Sequence, residues 1–164
     1  MAKVKSRKRK QIPTILKNNE PALSMVCESV KEGEDISKIT QALLYNLTKH
    51  KHGVGLAANQ VGILKRVIAV KIGGIYKIMI NPSFCSIPAE SDDNGEIIPA
   101  TEVQYEGCLS YPGVLKQVSR ELHIKVDYIN EQGESVLEKY NDLAARIIQH
   151  EIDHLNGKCI LKGV

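Results

Sequence analysis

No stretch of this 164-residue chain reaches the roughly 18 consecutive apolar residues that a membrane helix needs. The basic start is followed by neither an apolar run nor a small-residue cleavage site, so no secretory signal is read and a cytoplasmic location is expected. The four cysteines, Cys27, Cys85, Cys108 and Cys159, form no C-x-x-C pair; they are read as reduced thiols. No Ser/Gly linker and no internal repeat divides the chain, and its length suits one domain. With 43% hydrophobic and 25% charged residues, the composition excludes a disordered chain, a collagen-like chain and a disulfide-dense miniprotein.

Charge of one sign is missing from two places. Residues 1–10 hold six basic side chains and no acid, while no base occurs between Lys77 and Lys116. Without the first ten residues, 16 basic side chains face 19 acidic ones, so the body carries a formal −3 and is not a basic nucleic-acid binder. The expected organisation is a basic, disordered arm at 1–10 and a single catalytic domain at 11–164.

Along the body, Ile36, Ile39, Leu43, Leu44 and Leu47 recur at helical spacing, which predicts an amphipathic helix over 35–49 with Asp35 as its cap. A glycine-rich turn follows at 53–62. Residues 66–72 and 75–80 read as strands joined by Gly73-Gly74, the second ended by Asn81-Pro82. Residues 83–106 read as a long acidic loop, with a short hairpin around Asn94-Gly95. Residues 122–129 and 135–140 read as further strands, joined by a turn at 131–133. Residues 142–156 form a strong helix, capped by Asn141 or Asp142 and ended by Gly157. Strands followed by a terminal helix predict an α+β fold, with mixed or antiparallel strands packed around that C-terminal, metal-binding helix.

This helix carries H-E-x-x-H at 150–154. Histidines four apart share one helix face, so both imidazoles can bind one divalent metal, with Glu151 beside them. Leu143 and Ile147 continue the stripe, so this face is expected to point inward. A catalytic site of this kind needs a third protein ligand. Position 160, where one motif class has a third histidine, is Ile160, and no carboxylate follows His154. The third ligand is therefore sought upstream, among Cys27, Cys85, Cys108, His50, His52 and His123. Cys108 stands out within Glu106-Gly107-Cys108-Leu109-Ser110, where Gly107 permits close backbone approach and Pro112-Gly113 turns the chain away. Two rival readings stay open here: another metal-dependent amidohydrolase or peptidase, and a non-catalytic RNA-binding protein with a structural metal.

G-V-G-L-A-A-N-Q at 53–60, E-G-C-L-S at 106–110 and Q-H-E-I-D-H-L at 149–155 resemble, in order, the three signature motifs of peptide deformylases. The resemblance spans about residues 12–160. It implies hydrolysis of the N-formyl group of formylmethionyl nascent peptides, with release of formate. It implies one divalent metal on Cys108, His150 and His154, with Fe(II) as the expected ion and Zn(II), Ni(II) or Co(II) able to replace it. It implies Glu151 as general base and then acid, and the Gln60 amide and Leu109 N–H as donors to the oxyanion. Val54, Gly55, Glu106, Gly107, Leu143 and Ile147 are the candidate substrate-binding residues, Glu106 with a structural bias, as a partner to a backbone N–H or a cap on its loop. The chain ends ten residues after His154, without the further helix through which many members dock on the ribosome. The arm at 3–10 is expected to contact rRNA in its place, and a phage-borne member would account for both features. An arginine close behind E-G-C-L-S is usual in the family; here Lys116 and Arg120 are the nearest bases.

Overall fold

The computed structural model describes residues 12–88 and 100–161. The basic arm and the hairpin expected around Asn94-Gly95 lie outside them. Five strands, β1 (Gly55–Ala57), β2 (Val67–Ile72), β3 (Ile75–Ser86), β6 (His123–Ile129) and β7 (Ser135–Asn141), form one antiparallel sheet in the order β1-β2-β3-β6-β7. Two more, β4 (Thr101–Cys108) and β5 (Tyr111–Glu121), form a separate antiparallel hairpin. Helices α1 (Ser37–Lys49) and α2 (Asp142–Leu155) and two short 3-10 helices, Pro21–Ser24 and Ala58–Val61, are the other described elements. The α+β expectation holds, and among the described residues every pairing between these strands is antiparallel.

The sheet is apolar on both faces, which explains the unbroken V-I-A-V run of β2. Ile68 and Val70 pack with Met79, Ile124 and α2's Ile148 and Ile152. Val67 and Ala69 pack on the other side with Ile78 and α1's Ile39, Leu43 and Leu47. Thus α2 lies against the sheet through its apolar side, which leaves its flanks free to meet the β4–β5 hairpin.

Four local expectations are corrected. The glycine-rich stretch at 53–62 is no single turn, since it holds β1 and a 3-10 helix at Ala58–Val61. Strand β3 continues through Asn81-Pro82 to Ser86, with its register on β6 shifting between Ile80 and Ser83. Asn81 takes φ 52°, a left-handed conformation that asparagine tolerates, and its amide both accepts from Val30 N (2.8 Å) and donates to Val30 O (2.9 Å). A bulge thus absorbs the Asn-Pro step. The acidic segment is likewise no loop over 83–106, since β3 occupies its start and β4 its end. Finally, neither helix is capped as expected. Asn141 flanks α2 without a side-chain cap bond, because its Oδ1 meets His123 Nδ1 at 3.0 Å. Ile36 flanks α1, while Asp35 accepts from Ser37 N at 2.9 Å. Gly157 does end α2, at φ +71°, where a Cβ would lie 2.7 Å from Ser24 O.

Candidate active site and metal centre

Three donor atoms converge where β4 meets α2. Cys108 Sγ lies 3.3 Å from His154 Nε2, which lies 3.2 Å from His150 Nε2. All three ligand atoms fall within 4.8 Å of one another. Donors at about 2.0–2.3 Å from a tetrahedral cation stand roughly 3.3–3.7 Å apart, so the cluster has the dimensions of one coordination sphere. A thiolate and two imidazoles suit Fe(II) or Zn(II). Cys27, Cys85, His50, His52 and His123 do not join this group, nor does Cys159, which is buried beside Tyr111 and Leu23.

His150 is oriented from behind. Its Nδ1 lies 2.9 Å from Glu106 Oε2. An ionised carboxylate only accepts, so Nδ1 donates to it, and Nε2 is the nitrogen turned toward the cluster, where a cation would take the place of its proton. Glu106 also accepts from Arg120 Nε (2.9 Å) and Nη2 (3.0 Å) and from Arg146 Nη1 (2.8 Å). Burial opposes its charge, but the His150 and Arg120 hydrogen bonds prevail and hold its pKa at about 2. Arg120 reaches onward to Asp153 on α2. Two guanidiniums and two carboxylates thus neutralise one another beneath the site. Glu106 is a strand residue committed to this network, in place of the backbone N–H or loop cap expected of it.

Glu151 is buried, with Oε2 unpartnered among the described residues. Burial pushes its pKa up to about 7, against the lowering charges of His150 and Arg120. Gly55 lies against it: a Cβ there would fall 2.3 Å from Glu151 Oε1.

The Gln60 carboxamide is held at both ends. Its Oε1 accepts from Ala57 N at 2.8 Å, and its Nε2 donates to Ser110 Oγ at 3.1 Å and faces Cys108 Sγ at 3.5 Å. The N-terminal segment braces both flanks, as Leu16 N donates to Gln60 O (2.7 Å), Asn18 N to Ser110 O (2.9 Å) and Lys17 Nζ to Leu109 O.

A cleft of about 530 Å³ opens over these groups, lined in part by Val54, Gly107, Leu109, Leu143, Arg146 and Ile147. Leu143 is 64% exposed while Ile147 is 7% exposed. The inward face expected of both holds only for Ile147; Leu143, in the first turn of α2, stands at the rim. The close approach expected at Gly107 has no counterpart within the protein, since a Cβ there would meet Leu115 at an ordinary 3.4 Å.

Sequence reasoning missed Ser110, Arg146 and Asp153 and gave Arg120 no role, whereas it faces the buried network. One signal was available: Arg146, Gln149, His150 and Asp153 fall at i, i+3, i+4 and i+7, a polar stripe beside an apolar one on a single helix.

The fold and donor set define a metal-dependent hydrolase. A family profile described as polypeptide deformylase matches residues 12–164. The peptide deformylase of Thermotoga sp. strain RQ2 is 39% identical over 145 residues, 88% of this chain and 82% of that protein. The peptide deformylase of Natranaerobius thermophilus is 38% identical over 148 residues, 89% and 88% of the two chains. Among solved structures, the Thermotoga maritima peptide deformylase superposes with a TM-score of 0.79 at 36% identity, over 94% of this chain and 98% of that one. The deformylase of Vibrio parahaemolyticus bacteriophage VP16T, solved with actinonin, gives 0.78 at 32%, over 90% and 99%. The chain belongs to the polypeptide deformylase family. It is a hydrolase that removes the formyl group from N-formylmethionyl peptides, which retires both rival readings. Among the described residues, no helix is long and apolar enough to cross a membrane.

Proposed function

We propose that Cys108, His150 and His154 hold the catalytic cation of this deformylase, with Fe(II) as the ion used in the cell and Zn(II), Ni(II) or Co(II) as substitutes in purified protein. The observation that carries the reading is the convergence of three ligand atoms of suitable chemistry within 4.8 Å, beside a buried carboxylate with a free oxygen. A divalent metal on such a set lowers the pKa of water and supplies the nucleophile near neutral pH.

The chain's own groups supply the rest. Glu151 takes the proton of the attacking water and delivers it to the leaving amine. Gln60, whose amide is fixed by Ala57 and Ser110, presents Nε2 toward the cluster as one donor to the developing oxyanion, and the Leu109 N–H is the second. A preset donor needs no reorganisation when charge appears, and both are braced by residues 16–18. The apolar sides of Val54, Leu143 and Ile147 take the methionine side chain, and Gly55 and Gly107 leave room for the peptide backbone. Glu106 acts by orienting His150.

Residues 11–164 are read as one catalytic domain in the cytoplasm, and residues 3–10 as an rRNA contact. Removing residues 1–10 should weaken ribosome association and its salt dependence; unchanged association would remove that part of the proposal. The central test is formate release from formyl-Met-Ala-Ser by protein purified without oxygen, with Glu151→Gln as its comparison. Fast release by the parent and loss in the variant is the expected result. Equal release by both would take the acid–base role away from Glu151.

A further inference from the structure

We infer that Arg146 is the positioning residue that sets Cys108 against the two histidines. The inference rests on the reading of Cys108, His150 and His154 as metal ligands. Those ligands come from two bodies with no shared sheet: Cys108 ends β4 of the separate hairpin, and the histidines stand on α2, which packs on the five-stranded sheet. Among the described residues no ladder hydrogen bond joins the hairpin to the helix; the backbone meets α2 only at its start, where Asp142 N donates to Leu122 O at 2.8 Å just beyond β5, so side chains hold the rest.

Arg146 makes three of those links from one planar group. Nη1 donates to Glu106 Oε1 at 2.8 Å and to Val118 O at 3.0 Å, and Nη2 donates to Glu102 O at 2.7 Å. It therefore grips β4 twice and β5 once, from a position one turn before His150. The guanidinium is rigid and buried, so these acceptors fix both the height and the tilt of the hairpin over the helix. Gln149 adds a second clamp farther along β5, accepting from Glu121 N (3.0 Å) and donating to Glu121 O (2.8 Å). Arg120 joins both Glu106 oxygens to Asp153, and Glu106 meets His150 directly, but these links run from side chain to side chain, whereas Arg146 and Gln149 hold strand backbone to α2. A lysine has the charge but no fork, and meets at most part of this geometry.

The test uses full-length protein loaded with Co(II), whose thiolate-to-cobalt absorption reports the Cys108 bond. Arg146→Met and Arg146→Lys are compared with the parent for that band, for the rate of Co(II) loss to a chelator and for melting temperature. Val126→Ala, a core truncation remote from the hairpin, controls for stability loss alone. The expected result is a weakened or shifted band in Arg146→Met with metal loss faster by about ten- to a hundredfold, an intermediate Arg146→Lys, and a parental band in Val126→Ala. A folded Arg146→Met with the parental band and parental loss rate would overturn the inference. Should Arg146→Met not fold, Arg146→Lys is read by the same band and the same loss rate, and parental values of both would overturn the inference equally. Cys108→Ser separates the underlying reading: if the parent's band survives in Cys108→Ser, the ligand assignment fails, whatever Arg146 does.

Discussion

Gly55 and Glu151 meet so closely that position 55 admits no side chain while Glu151 keeps its place: a Cβ there would stand 2.3 Å from Oε1 and 2.8 Å from Cδ and Cγ of Glu151. The glycine in the first motif is thus the wall against which the carboxylate of the third motif is set.

Alanine at position 55 should therefore displace the carboxylate and leave the fold standing, because the group that must yield is a side chain and Gly55 has no left-handed backbone to strain. A misplacement of about 1 Å costs on the order of a hundredfold in rate. The expected outcome for Gly55→Ala is a fall of that order in kcat, with metal content unchanged and melting temperature close to the parent's. Parental kcat would show that Glu151 acts from another position.

The cysteines should separate cleanly by reactivity. Cys85 is exposed, whereas Cys27 and Cys159 are buried. Burial raises the Cys27 thiol to about 11, despite the lowering influence of Arg66 and of the Asn59 backbone hydrogen bond. The thiolate is the reactive form. With metal bound, a thiol reagent should label Cys85 alone, as read by mass spectrometry of peptides. Removal of the metal by a chelator should abolish formate release and add Cys108 to the labelled set. Reloading with Fe(II), Ni(II) or Co(II) should restore release, and the Fe(II) form should decay fastest in air.

Acid sensitivity should map in part to Glu138. Burial raises its pKa, but hydrogen bonds from Tyr140, Lys77 and Tyr128 outweigh it and set it below the usual 4.5. A carboxylate with a depressed folded pKa contributes stability above its unfolded pKa and loses it as pH falls through the folded value. The difference in melting temperature between the parent and Glu138→Gln should thus be constant above about pH 5 and shrink below 4.5. A difference that does not vary with pH would show that the Glu138 charge adds no stability.

The brace at residues 16–18 should tune rate rather than fold. The Lys17 ammonium is exposed where it meets Leu109 O, so its hydrogen bond is worth about 1 kcal/mol. Lys17→Met should lower kcat/KM by up to about fivefold, mostly in kcat, with Lys17→Arg near the parent. A change confined to KM would instead place Lys17 on the peptide.

What could be read from the chain was local or periodic. The 3.6-residue spacing gave α1 and α2, the Gly73-Gly74 step gave the β2–β3 hairpin, and the four-residue spacing put His150 and His154 on one face. The motifs supplied Cys108, Gln60 and Glu151. What escaped was decided by pairing at a distance. Strand β5 has no regular alternation to betray it, because residues 115–117 are exposed in a row and one of its few buried side chains is the charged Arg120. Strand β3 passes Asn81-Pro82 only because Val30, far away in sequence, accepts the asparagine's geometry. Leu143 falls outside the core because, in the first turn of α2, it borders the open cleft rather than the sheet. Arg120, Arg146 and Asp153 look like surface charges until the hairpin closes over α2 and turns them into one neutral buried network.

The sequence by itself placed His150, Glu151 and His154 on one helix, which follows from residue type and short-range spacing, and singled out Cys108 by its motif. Only the tertiary structure decided how Cys108 comes to the histidines and why Glu151 needs a glycine opposite, because both depend on two chain segments meeting at fixed distance, and no local pattern encodes such a distance.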